Sequence, residues 1–196
     1  MKRFFTAILA ALTIITFTAC GNSTEGKNSS SPAQDVKSSS KILVAYFSCT
    51  GKTKKAAEEV AEILHADTFE IVPFKPYTHD DLDYNVEDCR ANLEQKDSNS
   101  RPAIKNKIEN PAQYKTIVIA YPIWWGAEPR IIDTFVESYD FKGKKIIPVC
   151  TSGGSEITTS VKNLQELCKG AKVLEGRRLG ILSKEEVKAW LDSLNL

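Results

Sequence analysis

A short polar segment after the first apolar run has the composition of a phosphate-binding loop. The apolar run, residues 42–47, predicts a strand buried on both faces, and a helical repeat of apolar residues follows the polar segment. A helix start offers unpaired backbone N–H groups at the positive end of its dipole, and the hydroxyls of Ser48, Thr50 and Thr53 add donors. The segment therefore predicts a cup for a phosphate, although an ordinary turn leading into a capped helix would have the same composition.

Two common phosphate loops do not fit this spacing. A nucleoside-triphosphate loop needs a glycine five residues before its Gly-Lys-Thr, and that position holds Tyr46. A phosphatase loop of the pattern Cys-x5-Arg would start at Cys49 and require arginine where the chain has Lys55. The sequence thus excludes both classes and leaves other phosphate-bearing ligands.

Two further loops follow predicted buried strands at residues 116–121 and 145–150. The first carries two tryptophans between a proline and a glycine, and exposed aromatic surface is costly unless it contacts something. Trp124 and Trp125 could therefore contact a ligand, or they could fill the core or a partner surface. The second loop is small and polar, as an ordinary turn would also be. The residues are Pro122, Ile123, Trp124, Trp125 and Gly126 in the first, and Thr151, Ser152, Gly153 and Gly154 in the second.

Together the three loops resemble those of flavodoxins. The first matches the Ser/Thr-x-Thr-Gly-x-Thr segment with which that family holds the phosphate of FMN, through Ser48, Cys49, Thr50, Gly51, Lys52 and Thr53. The resemblance extends over residues 41–196 and implies non-covalent binding of FMN. It also implies that the flavin carries the redox chemistry, so no protein side chain is expected to act as a catalytic acid or base.

The resemblance assigns roles in the other two loops. It places Trp124, with Trp125 as the alternative, flat against the isoalloxazine ring, and it lets Gly126 turn the backbone toward the flavin N5. The third loop, Thr151 to Gly154, would direct backbone N–H groups to the ring carbonyls. The scarcity of positive charge near the flavin ring would then shift its redox potential. Lys52 is the exception, because its side chain could point toward the phosphate or into solvent.

The fold that this resemblance implies is an α/β three-layer sandwich with a five-stranded parallel sheet in the order 2-1-3-4-5. In this order the ends of the first and third strands flank the point where a ligand is expected. The second strand is predicted at residues 68–72 and the fifth at 172–174, with an alternative end at residue 179. Helices are predicted over residues 80–95, 131–137 and 156–168, and a last helix is capped by Ser183.

The long connection over residues 77–110 exceeds what a crossover needs. Tyr77, Tyr84, Arg90 and Arg101 in or beside its helix could cover a ligand or could simply pack and face solvent. His65 and His79 have no partners at metal-ligand spacing, so no metal site is expected.

The N-terminus has the anatomy of an export segment. A basic start and an apolar stretch make residues 1–19 a signal peptide, and the end of this stretch resembles the lipobox of bacterial lipoproteins, which implies that Cys20 is lipidated. Residues 20–40 are rich in serine and predict a flexible tether. The expected protein is an exported lipoprotein anchored in the membrane of the bacterial envelope, with residues 41–196 as its folded domain.

Charge and cysteine content limit the other choices. The chain has 26 basic and 25 acidic residues, and this balance disfavours binding to nucleic acid. The chain also lacks the acidic surplus that is common in electron-carrier flavodoxins. An oxidising compartment makes disulfides a consideration. A bridge from Cys49 to Cys150 is rejected because another strand separates theirs, whereas a bridge from Cys89 to Cys168 remains open.

Three functions fit this sequence. The first is electron transfer through FMN, with a redox partner protein or a small-molecule electron acceptor. The second is an NAD(P)H-dependent quinone reductase containing FMN, which the balanced charge favours and the lack of a nicotinamide fingerprint disfavours. The third is a lipoprotein that keeps the fold for binding without redox chemistry.

Overall fold

The computed structural model describes residues 41–196, in which strands and helices alternate along the chain. The predicted signal peptide, Cys20 and the predicted tether lie outside the described residues. The strands and helices are β1 (Lys41–Tyr46), α1 (Lys52–Leu64), β2 (Asp67–Glu70), α2 (Arg90–Lys96), β3 (Tyr114–Pro122), α3 (Arg130–Glu137), β4 (Lys145–Thr151), α4 (Thr158–Leu167), β5 (Lys172–Val173), β6 (Arg177–Arg178) and α5 (Lys184–Ser193).

The strands form one parallel sheet in the order β2-β1-β3-β4-β5, and β6 also pairs with β4. The predicted order is therefore confirmed. Because every pair is parallel, the carboxyl ends of β1, β3 and β4 meet at one edge of the sheet. The three loops that follow these strands lie at that edge.

Alternate residues of the central strands enter two separate cores, one on each face of the sheet. On β3, Ile117 packs into the core with Phe135 of α3, and Val118 packs into the core with Val60 of α1 and Leu191 of α5. A strand buried on both faces requires the continuous apolar sequence seen here. The predicted three-layer sandwich is confirmed.

The helix predicted over residues 80–95 is wrong for most of its length. A single 3₁₀ turn covers Asp80–Leu82, and α2 begins only at Arg90. Between them, Asp83 Oδ1 accepts hydrogen bonds from the backbone and side-chain N–H groups of Asn85, at 3.1 and 3.0 Å. Such local bonds from aspartate compete with helical backbone bonds, which explains the break.

The predicted fifth strand is divided into β5 and β6 around Gly176. A Cβ at Gly176 would lie 2.8 Å from the carbonyl oxygen of Pro148 in β4 and 2.8 Å from Ile157 Cδ1. Glycine thus allows the backbone to press against β4 between the two short strands. The second strand also ends earlier than predicted, at Glu70 instead of residue 72.

The remaining predicted elements agree with the structure to within a few residues. Ser183 caps α5 in a capping box, in which its side chain accepts from the backbone N–H of Glu186 and its own N–H donates to the Glu186 carboxylate. Within the part of the chain that the structure describes, no helix is long and apolar enough to cross a membrane. The four cysteines there are free thiols, so the bridge between Cys89 and Cys168, left open above, is not formed.

Candidate functional site

A cavity of about 870 Å³ opens at the carboxyl edge of the sheet. This volume lies in the range of small-molecule sites. Residues from all three predicted loops line it. Ser48, Gly51, Gly126 and Gly154 do not line it but shape the turns that do.

The first loop delivers an uncapped helix start into the cavity. Gly51 is the N-cap of α1 with φ of +82°, a left-handed conformation that suits glycine, and no side chain caps the helix. Its N–H is bonded to Ser48 Oγ at 3.1 Å. The next three amides belong to the first helical turn, where no intrahelical acceptor is available, and that turn holds no acidic residue. An anion is the partner that such an end favours.

Positive charge is concentrated at this end of the cavity. Lys52 and Lys55 both line it, together with the carboxylate of Glu59, whereas Lys54 pairs with Glu58 at 4.0 Å. Cys49 and Thr50 are exposed and also form part of the wall. The lysines strengthen the case for an anionic group near the start of α1.

A hydrogen bond joins the first loop to the third. Thr53 is 2% exposed, and its Oγ1 lies 2.8 Å from Thr151 Oγ1. In the third loop the Ser152 hydroxyl accepts from the backbone N–H of Gly154 at 3.1 Å. A Cβ on Gly153 would meet no atom within 4 Å, so this loop presents its backbone without side-chain cover.

The second loop is a tight turn, which we call the tryptophan turn, Trp124 to Ala127. The backbone N–H of Trp124 donates to Ala127 O at 2.9 Å, and that of Ala127 donates to Trp124 O at 3.1 Å. Trp125 and Gly126 have φ of +48° and +79°, as a type I′ turn requires. A bulky residue at positive φ is strained, and such strain is characteristic of functional sites.

The two tryptophans have different surroundings. Trp124 lines the cavity and packs edge-on against Phe47 and Tyr77, with ring centroids 5.7 and 5.4 Å away. Trp125 also lines the cavity but is 55% exposed. Pro122 and Ile123 complete this wall, and the N–H of Ile123 donates to Thr151 O at 3.0 Å, which ties the second loop to the third.

Residues of α2 and of the segment that precedes it contact Trp124 and hold it in place. The Arg90 guanidinium lies 3.9 Å from the centre of the Tyr77 ring, and Glu94 accepts from both Arg90 and the Tyr77 hydroxyl. Gln95 Nε2 donates to the carbonyl oxygens of Trp124 at 3.1 Å and Glu128 at 2.9 Å. The long connection is thus partly a buttress for the tryptophan turn.

Of the four residues considered for covering a ligand, Tyr84 alone lines the cavity. It is 70% exposed. Tyr77 and Arg90 lie beneath Trp124, as described above. Arg101 pairs instead with Glu137 on α3, with the two nitrogen–oxygen distances at 2.7 and 2.8 Å, so a covering role for Arg101 is wrong.

The sequence did not reveal an apolar part of the cavity wall. Leu82 lies in the 3₁₀ turn, Leu179 and Leu182 follow β6, and Val187 lies on α5. Val187 is buried with the apolar face of α5, and nothing local in the sequence distinguished Leu82 or Leu182. The places of Leu179 and Leu182 in the cavity depend on where β6 joins the sheet.

Glu128 was also missed, and it lies directly after the tryptophan turn. It is fully buried, and its Oε1 accepts a hydrogen bond from Asn163 Nδ2 at 2.9 Å. Burial raises the pKa of this carboxyl to about 7, with the nearby Asp133 acting in the same direction. A charged residue between alanine and proline gives no local sign of burial.

The fold and the site define a class of protein: a parallel α/β sandwich that binds its ligand where the order of the strands reverses, at their carboxyl ends. The protein-family model described as flavodoxin matches residues 41–194 of the chain. The chain belongs to the flavodoxin family.

Solved structures agree with this assignment. A candidate flavoprotein of Bacteroides eggerthii is 44% identical, with a TM-score of 0.77 over 80% of this chain and 98% of its own. One from Bacteroides uniformis is 48% identical, with a TM-score of 0.75 over 78% and 97%. A Lactobacillus acidophilus flavoprotein, solved in complex with FMN, is 26% identical, with a TM-score of 0.61 over 78% and 99%. The comparison with curated proteins found no match.

Proposed function

We propose that the protein binds FMN non-covalently and transfers electrons through it as a membrane-tethered redox protein. One observation carries the proposal: an uncapped helix start and two tryptophans open into the same cavity. The related Lactobacillus acidophilus flavoprotein was solved with FMN. FMN combines an anionic phosphate with a flat aromatic ring, which are the two groups that these features recognise.

The helix start fits the phosphate. The amides of Lys52, Thr53 and Lys54 are available at the first turn of α1, which contains no competing carboxylate. By contrast, α5 satisfies its own start with Ser183 and Glu186. The start of α1 therefore keeps backbone N–H groups free for an anion in the cavity, whereas the start of α5 does not.

The tryptophan turn and the third loop fit the ring. Trp124 is held by Phe47 and Tyr77, so its position is set before a ligand arrives. The bare backbone at Gly153 allows close approach from the other loop. Bound FMN would supply the redox chemistry, while these residues bind and orient it and exclude water.

Titration with FMN tests the proposal. We expect quenching of flavin fluorescence, with affinity reduced about fivefold in Trp124→Ala because aromatic stacking contributes roughly 1 kcal/mol. Trp190→Phe is the matched control, since Trp190 lies on α5 and does not line the cavity. Riboflavin, which lacks the phosphate, should bind about a hundredfold more weakly, equivalent to two charge-assisted hydrogen bonds. No binding at micromolar FMN would refute the proposal and leave a binding protein of another kind.

Exposed aromatic residues at the cavity mouth support electron transfer to a partner. Trp125 and Tyr84 are 55% and 70% exposed. A redox partner protein or a small-molecule acceptor could therefore approach the flavin of bound FMN at this mouth. The alternative, an NAD(P)H-dependent quinone reductase, makes a different prediction. Rapid consumption of NAD(P)H by the FMN-loaded protein with a quinone would favour that enzyme. Reduction only by a partner protein or a chemical donor would favour the electron carrier.

The membrane anchor is a separate part of the proposal, and it is supported by the lipobox-like sequence around Cys20. We expect labelled fatty acid to be incorporated into the wild-type protein in a bacterial host and not into Cys20→Ser. The variant should also move from the membrane fraction to the soluble fraction. Equal membrane association of both proteins would exclude a lipid anchor at Cys20.

A further inference from the structure

A buried polar cluster lies directly behind the tryptophan turn. It is assembled from the end of β3, the segment before α3, α3 itself and α4. Tyr121, Glu128 and Ser160 are fully buried, and Asp133 is 2% exposed. Polar groups so far from solvent need partners within the protein.

The cluster lacks hydrogen bonds that an ionised Glu128 would need. Asn163 donates to Glu128 Oε1, but Oε2 has no hydrogen bond of acceptable geometry, and neither do Tyr121 Oη and Ser160 Oγ. The Ser160 side chain lies beside both Glu128 and Tyr121. A protonated carboxyl can donate to a hydroxyl, whereas a carboxylate can only accept. Because Glu128 is fully buried and its bonded donor Asn163 carries no charge, burial favours the uncharged acid in this cluster.

The charges around Glu128 point the same way. The carboxyl of Asp133 on α3 faces it, and burial together with Glu128 raises the pKa of the Tyr121 phenol on β3. Arg130 lies on α3, 3.1 Å from Asp133 Oδ2, and Arg101 lies 3.7 Å from the same oxygen. From α4 only the uncharged Ser160 and Asn163 face Glu128. Both arginines thus interact with Asp133 and favour its charged form. Loss of the Glu128 proton would place a second negative charge beside the Asp133 carboxylate.

Glu128 is coupled to the tryptophan turn through the backbone. It follows Ala127, the last residue of the turn, and its carbonyl shares Gln95 Nε2 with the carbonyl of Trp124. The positive φ of Trp125 can persist only while surrounding bonds hold it. A shift of Glu128 would therefore weaken the support of both ends of the turn.

We propose that Glu128 is a positioning residue that holds the tryptophan turn only as an uncharged acid. Loss of its proton loosens the turn and lowers the affinity of the cavity for FMN. The part that concerns affinity rests on the proposed flavin site, whereas the part that concerns the turn does not.

The test follows tryptophan emission of the FMN-free protein from pH 5 to pH 9. A Trp190→Phe background leaves Trp124 and Trp125 as the emitting tryptophans in the described domain. We expect one transition near pH 7, the pKa of Glu128. Glu128→Gln should remove this transition and keep the emission of the low-pH form. Glu166→Gln, at an exposed position on α4, is the matched control and should behave as the parent.

FMN affinity is measured on the same proteins at pH 6 and pH 8.5. We expect it to fall about tenfold in the parent, the effect of releasing one strained residue, and to fall less in Glu128→Gln. Titration of the FMN phosphate affects both proteins equally, so the difference between them reports Glu128.

Three outcomes separate the possibilities. A transition and an affinity loss that are confined to proteins with Glu128 support the inference. Equal pH dependence in parent and variant would overturn it while leaving FMN binding intact. If no protein binds FMN at either pH, the proposed function fails, and the emission of the FMN-free protein still decides whether Glu128 controls the turn.

Discussion

Replacing Glu128 with glutamine should remove a loss of folding stability that the wild-type protein shows as pH rises. Burial raises the pKa of this carboxyl from 4.5 to about 7 in the folded protein. Between these values the folded state binds more protons than the unfolded state, so the free energy of unfolding falls as pH increases. The loss is complete once pH exceeds about 7.

The size of this effect follows from the two pKa values. A change from 4.5 to about 7 corresponds to about 3 kcal/mol, most of which develops between pH 5 and pH 8. The fully buried position of Glu128 leaves little solvent screening of this cost. Because urea lowers stability by 1–3 kcal/mol per molar, the wild-type midpoint should fall by about 1 M over this interval, relative to the variant.

Urea denaturation of both proteins at pH 5, 6, 7 and 8 measures this difference. Subtracting the two curves removes the contributions of groups that do not interact with Glu128, including the lowered pKa values of Glu137 and Glu186, which act in the opposite direction at lower pH. Glu166→Gln should follow the wild type throughout. Parallel curves for wild type and Glu128→Gln would show that Glu128 is ionised at little cost, and would refute the reasoning.

Two further substitutions test the architecture of the cavity. Thr53→Val removes the hydrogen bond to Thr151 and should lower stability by about 1 kcal/mol and weaken FMN binding; unchanged stability by urea denaturation and unchanged affinity would contradict the role of this tie. Gly176→Ala would bring a methyl group against Pro148 O and should cost about 1–3 kcal/mol. Gly154→Ala, where a Cβ meets nothing within 4 Å, is its control and should change stability by less than about 0.5 kcal/mol; equal effects would contradict the packing argument.

The sheet and the positions of the three loops could be predicted because their signals are local. A continuous apolar run such as residues 116–121 indicates a buried strand, and the polar residues that follow mark its carboxyl end. The parallel arrangement then brings Thr53, Trp124 and Thr151 to one edge. That these loops bind FMN stays a prediction until it is measured.

What could not be predicted depends on contacts between distant residues or on competing local bonds. Apolar spacing over residues 80–95 favours a helix, but hydrogen bonds that Asn85 donates to the Asp83 carboxylate prevent one. Gly176 divides the last strand because of its approach to β4, a contact that spacing does not reveal. Glu128 has an ordinary loop sequence around it, and its burial arises only when α3 and α4 close over it.

The parallel sheet also gives the domain a front and a rear. β1 begins at Lys41 and runs for six residues, about 20 Å at 3.3 Å per residue, before the first loop of the cavity. The chain that precedes Lys41 therefore joins the domain at the rear. The first described residue and the mouth of the cavity therefore lie at opposite edges of the sheet.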